Sequence, residues 1–188
     1  MKLSTGRYVL ILLLAGLTTG ALEPNKVHAP LDQEEYLGAE DWFQAGVALN
    51  GAEMYQEAKE AFARSIAIEP GNSLSWLNLG TAQALLGEYP EAVVTLKKSV
   101  QLDPKLAIGF ANLAEVCFRT ERFEEAVEAY SALLVLWPDS PNALYKLGLS
   151  HLHLEESGKA QAEYLSLKMV DPELADKLLQ AINRGAVR

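Results

Sequence analysis

From Trp42 onward the chain repeats one arrangement of large apolar, very small and polar positions every 34 residues. A bulky residue opens each unit (Trp42, Trp76, Phe110, Leu144), and four positions later stands a very small one (Gly46, Gly80, Ala114, Gly148), where two helix backbones can approach closely. Twelve positions further on there is always an alanine (Ala58, Ala92, Ala126, Ala160), and four beyond it a large apolar or aromatic residue: Phe62, Leu96, Tyr130, Tyr164. Small faces large, as ridges packed into grooves require. A proline closes each unit, at Pro70, Pro104, Pro138 and Pro172, with no slip in the spacing. Proline cannot continue a helix and drives the residue before it out of the helical region. Each unit therefore predicts two antiparallel helices, A and B, joined by a short turn, and the fixed period predicts a repeat array.

After Pro172 the segment ELADKLLQAINRG carries Leu174, Leu178 and Ile182 at helical spacing on one face, with polar residues elsewhere. This is a helix with one side to bury. A stack of repeats needs such a cap over its last unit. Local signals agree: Ser140 before Pro141 opens a helix, Pro90 opens helix B of the second unit, and Ser157 is expected to cap helix B of the fourth. Ser157 also replaces the aromatic held there by Tyr55, Tyr89 and Phe123, which marks the fourth unit as the more loosely packed.

The array resembles the tetratricopeptide repeat family. That family's pattern is met by Trp76, Leu79, Gly80, Tyr89, Ala92 and Pro104, with Leu96 in place of the usual aromatic, and the resemblance covers residues 39–172. It implies an all-α fold, a right-handed α-solenoid of four helix-turn-helix units at 39–72, 73–106, 107–140 and 141–172, followed by a capping helix at 173–184.

Residues 1–21 are a different kind of segment. Lys2 and Arg7 precede the apolar run Tyr8–Leu17, and Thr19, Gly20 and Ala21 offer small residues for a signal peptidase. The run is too short for a bilayer of roughly 30 Å. We read a secretory signal cleaved after Ala21, giving a protein that is exported and periplasmic or secreted; the alternative is an uncleaved N-terminal anchor. Residues 22–38 follow as a linker, in which Asp32 and Glu35 can form a capping box that starts a helix. Cleavage leaves 14 basic against 25 acidic residues and moves the formal charge from −9 to −11. Such a surface repels nucleic acid and anionic membranes.

The chain has no glycine-rich phosphate loop, no paired-cysteine metal site and no serine elbow. Neither enzymatic activity, nor a metal, nor a cofactor is expected. His151 and His153 point roughly 200° apart on a helix and cannot share a metal, while His151 with Glu155 supplies only two ligands. Cys117 is the single cysteine, so no internal disulfide forms, and its place in helix A of the third unit suits a small buried hydrophobe.

What remains is surface. The resemblance implies that the A helices line a concave face that binds a partner protein or peptide. Register places there Phe43, Gln44, Val47 and Asn50, then Leu74, Leu77, Asn78 and Thr81, then Ile108, Asn112, Glu115, Phe118 and Arg119, and finally Asn142, Tyr145, Lys146, Leu149 and His153. Asn78 and Asn112 share a column, between Gln44 and Lys146, and can donate to and accept from a peptide backbone. Arg119 and Lys146 can take a carboxylate. The expected function is thus a non-enzymatic interaction scaffold in assembly of an envelope or secreted complex. The competing reading is a structural subunit that builds a homo-oligomer through its ends or convex face.

Overall fold

A computed structural model describes residues 37–185, and among them there are nine helices and no strand. They run α1 (Ala39–Gly51), α2 (Tyr55–Ile68), α3 (Ser73–Leu85), α4 (Tyr89–Leu102), α5 (Ala107–Arg119), α6 (Phe123–Leu136), α7 (Pro141–His153), α8 (Ser157–Val170) and α9 (Pro172–Gly185). The odd helices α1 to α7 are the A helices and the even ones the B helices, so the all-α repeat class expected from the 34-residue period is the class observed. The expected signal segment and the Asp32–Glu35 capping box lie outside the described residues.

Proline sets the B-helix ends as expected. Each B helix stops two residues before its proline, and the intervening residue leaves the helical region: Glu69 at φ −128°, ψ 81°, Trp137 at −131°, 78° and Asp171 at −144°, 91°. At Asp171 the side chain also starts the next helix, its Oδ1 accepting from the Leu174 amide at 2.9 Å, so α8 and α9 meet at a single residue.

The A-to-B turns are one motif built four times. The amides of Met54, Glu88, Arg122 and Glu156 donate to the carbonyls of Leu49, Gln83, Cys117 and His151 at 2.8–2.9 Å, five residues back. This closure needs a left-handed residue just before the donor. Glu53, Gly87, Glu121 and Glu155 supply it, with φ of 60°, 80°, 59° and 60°. Three of the four are glutamates, which hides the turn from a reading based on glycine.

Two capping expectations are corrected. Ser157 is the first residue of α8 rather than its cap; Glu156 holds the cap position, because the preceding turn is closed by the Glu156 amide. Ser140 does stand at the cap of α7, with Pro141 at the first helical position, but its hydroxyl makes no capping bond. Side chains cap α3, where Asn72 Oδ1 accepts from the Leu74 and Ser75 amides, and α1, where Asp41 Oδ2 accepts from the Gly38 amide at 2.9 Å.

The chain divides into two compact units between Glu91 and Ala92. In the first, Trp42, Ala45, Leu49, Ala58, Ala61, Phe62, Ile66 and Leu79 form one buried cluster. Gly46 is what allows it: a Cβ there would stand 2.6–2.8 Å from three atoms of the Phe62 ring. In the second, Leu144, Ala160, Tyr164, Leu167, Ala175, Leu178 and Ile182 cluster together, so α9 covers the last repeat through the face read from Leu178 and Ile182. Here the small residue is Gly148, where a Cβ would stand 2.6 Å from Cδ2 of Leu178 of α9.

Candidate functional site

Which side of each A helix is left open follows from the burial pattern. In α1 the buried residues are Trp42, Ala45, Gly46 and Leu49, and the exposed ones include Glu40, Gln44 and Val47. At about 100° per residue these three fall within an arc of about 60°, opposite the buried set. The same arc carries Leu74, Asn78, Thr81 and Leu85 on α3, then Ile108, Asn112, Glu115 and Arg119 on α5, and Asn142, Lys146, Leu149 and His153 on α7. These residues are all exposed or half-buried. Each set is the previous one shifted by 34 positions, apart from Leu85, whose counterpart on α1 is Gly51.

Of the expected first-unit residues, Gln44 is exposed, and its Nε2 donates to Glu40 Oε1 at 2.7 Å. Asn78 is half-buried and donates its amide to the Leu74 carbonyl one turn back at 2.8 Å, which orients the side chain along its own helix. Phe43 packs partly into the core, its ring 6.0 Å from that of Phe62. Leu77 is 7% exposed and offers a ligand almost no side-chain area. Asn50 is half-buried with its Oδ1 fully covered. The face also includes Glu40 and Leu85, which the repeat pattern alone did not single out. Glu40 sits in the first turn, before the opening Trp42, and Leu85 in the last, where the helix boundary decides membership.

The second-unit face is a connected set of side chains. Lys146 of α7 reaches back to α5, pairing with Glu115, and its Nζ stands 5.2 Å from the centroid of the Phe118 ring. Tyr130 of α6 donates its hydroxyl to the same Glu115 Oε2 at 3.3 Å. Burial, and then the Glu115 carboxylate, push the Tyr130 phenol upward, so it stays a neutral donor. His153 is exposed and stacks on Phe123, 4.1 Å between centroids and 5° between planes, while Phe118 meets both rings edge-on at 6.3 and 5.8 Å. Arg119 is exposed at the end of α5, Asn112 half-buried and Tyr145 half-buried. The Lys146 cation expected for a ligand carboxylate therefore already serves Glu115. A ligand carboxylate must compete with that pair.

His151 and His153 separate as their spacing predicts. His151 is buried, and its Nδ1 lies 2.7 Å from Glu156 Oε2 rather than near Glu155, whose left-handed backbone carries it out of the helix. Glu156 also binds Lys159 at 2.7 Å, and Lys159 first and His151 second hold its carboxyl below the usual range. Among the described residues no three His, Cys, Asp or Glu side chains are grouped so as to hold a metal ion. Cys117 is fully buried, and burial pushes its thiol up to about 11. No described helix is long and apolar enough to cross a membrane.

This geometry is that of helix-pair repeats with an open A-helix face, and sequence comparison agrees. A tetratricopeptide repeat profile matches residues 49–115 and a TPR repeat profile residues 114–154. The chain belongs to the tetratricopeptide repeat family. No curated protein matches it closely enough to count as a relative. Solved structures share the fold. The MamA protein aligns with a TM-score of 0.73 at 23% identity, over 79% of this chain and 82% of the other. YrrB, described as a TPR protein with an unusual peptide-binding site, gives 0.67 at 22% identity, over 76% and 74%. A MamA fragment from Desulfovibrio magneticus RS-1 gives 0.66 at 17% identity, over 79% and 94%.

Proposed function

We propose that the protein is a non-enzymatic scaffold that binds a segment of a partner protein along the open faces of its A helices, and that it works after export, in assembly of an envelope or secreted complex. The observation that carries this reading is the recurrence of one uncovered arc on α1, α3, α5 and α7, while the other sides of these helices are largely buried. The arc mixes apolar side chains such as Val47, Leu74 and Ile108 with the carboxamides of Gln44, Asn78 and Asn112. Apolar area supplies affinity, and carboxamides can both donate to and accept from a peptide backbone. The peptide-binding site named for YrrB, a protein of the same fold, supports the reading by analogy.

The test is a photo-crosslinking residue placed at Gln44 or Asn112 in the native cell, compared with one at Val94, which is 70% exposed on the B helix α4. Partner adducts from the A-helix positions, with none from Val94, are the expected result, and the reverse pattern moves the site to the other face. Asn78→Ala and Asn112→Ala should then each weaken the identified complex roughly 5- to 150-fold, since each unpaired buried backbone group costs about 1–3 kcal/mol.

A second reading, self-assembly into a homo-oligomer, is favoured by the B-helix residues Val135 and Met169, 81% and 86% exposed at equivalent positions of consecutive repeats. Sedimentation of the mature protein distinguishes the two, a monomer favouring the scaffold. Export is read out separately, by N-terminal sequencing that finds Leu22 first.

A further inference from the structure

The two units carry unequal charge. Residues 37–91 hold eight acidic and two basic residues, a formal charge of −6, whereas residues 92–185 hold thirteen and ten, a charge of −3. Both cations of the first unit are engaged within it: Lys59 with Glu88 at 2.6 Å, and the Arg64 guanidinium 4.5 Å above the Trp42 ring. Six of its eight acids are exposed. Its A-helix face follows the same division. On α1, Val47 is 42% exposed and shares its side of the helix with Glu40, with Asp41 at the border. On α3, Leu74 and Leu85 are 44% and 53% exposed on one arc, separated by about 16 Å of helix. No cation lies on either face, whereas the faces of the second unit carry Arg119 and Lys146.

We propose that the A-helix face of the first unit docks a positively charged amphipathic segment of a partner protein. Its apolar side chains cover Val47, Leu74 and Leu85, and its Lys or Arg side chains lie against Glu40 and Asp41. This rests on the reading of the A-helix faces as the docking surface and adds the chemistry of what docks. The charge argument favours a cation twice. The net field of the unit draws cationic groups toward it, and an anionic segment would bring like charge against carboxylates that no basic side chain on that face offsets.

The experiment measures fluorescence anisotropy of three labelled peptides against the full chain: an amphipathic peptide of Lys and Leu, the same pattern in Glu and Leu, and a Lys–Ser peptide of equal charge. The Lys–Leu peptide is expected to bind and to weaken about tenfold when salt rises from about 0.05 to about 0.3 M. The Lys–Ser peptide should bind at least about tenfold more weakly, for want of apolar contact. The pair Leu74→Ser, Leu85→Ser and the single Glu40→Lys should each lower affinity about five- to tenfold; melting should be unchanged for the exposed leucine pair and only slightly lowered for Glu40→Lys, which reverses a charge in the first turn of α1; Val94→Ser on α4 should change nothing. Absence of Lys–Leu binding, or equal binding of the Lys–Ser peptide, overturns the proposal. Binding of the Glu–Leu peptide that is lost in Leu74→Ser, Leu85→Ser overturns the charge assignment and leaves the A-helix face as the docking surface. Binding lost only in Val94→Ser overturns both.

Discussion

The ring of Phe62 occupies the space that a side chain on Gly46 would fill, with its Cε1 2.6 Å from where that Cβ would be. Phe62 is fully buried and cannot swing away without opening the first unit's core. Gly46→Ala should therefore cost about 1–3 kcal/mol by overpacking. Gly51→Ala, where a Cβ would meet nothing within 4 Å, should be neutral or stabilising by up to about 1 kcal/mol. Urea melts of the two variants check this, and equal losses would show that Phe62 yields.

Gly87 and Glu121 share a column and a left-handed backbone, at φ 80° and 59°. A side chain at Gly87 has open space, so Gly87→Ala isolates backbone strain and should cost about 1 kcal/mol. Glu121→Gly relieves the same strain at the cost of a freer unfolded chain, and should stay within about 1 kcal/mol of the parent. Denaturant midpoints for both variants are the measurement.

Glu125 pairs with Lys97 of α4 and with Arg122, and Lys97 is the main reason its carboxyl is held below the usual range. A depressed carboxyl stabilises the fold fully above its unfolded value, about 4.3, and loses that contribution as pH falls through the folded value. Glu125→Gln should thus be less stable than the parent near pH 7, by under about 1 kcal/mol for so accessible a group. The difference should shrink once pH falls below about 4.3 and be lost as pH passes through the lower folded value. Thermal melts across that range test it; a gap that persists in acid would point to packing instead.

Cys117 is buried, with its thiol pushed up to about 11 by burial first and Glu125 second. At mildly alkaline pH the folded protein should leave a disulfide reagent almost unreacted, because the thiolate is the nucleophile. Unfolding in guanidinium should release one thiol per chain. Rapid labelling of the native protein would contradict the burial.

Much of the architecture was legible because it is repeated. Pro70, Pro104, Pro138 and Pro172 act on the residue beside them, through ring geometry that needs no distant partner, so the B-helix ends could be read directly. The spacing of Leu178 and Ile182 likewise showed that α9 had a face to bury. The left-handed turn has a residue with a local preference for it only at Gly87. Glu53, Glu121 and Glu155 adopt it because the helix pairs on either side hold them there, and no local preference of glutamate announces that.

A period of 34 residues shows that positions are equivalent, but not which neighbour meets them. The pairing of small with large columns held inside the first repeat, where Gly46 meets Phe62, whereas Gly148 meets Leu178 of the capping helix. The fourth repeat is followed by α9, which supplies what packs against it. Within the open face, Leu74 and Leu77 read alike as apolar A-helix residues. Three positions turn the helix by about 300°, or 60° the other way, and that rotation takes Leu77 into the core while Leu74 stays in solvent. Sequence determined the helices, their order and their repeat register, because these follow from residue type and spacing. Only tertiary packing decided which arc of each A helix stayed open and that Lys146 is already paired with Glu115, because both depend on the side chains that neighbouring helices bring into reach.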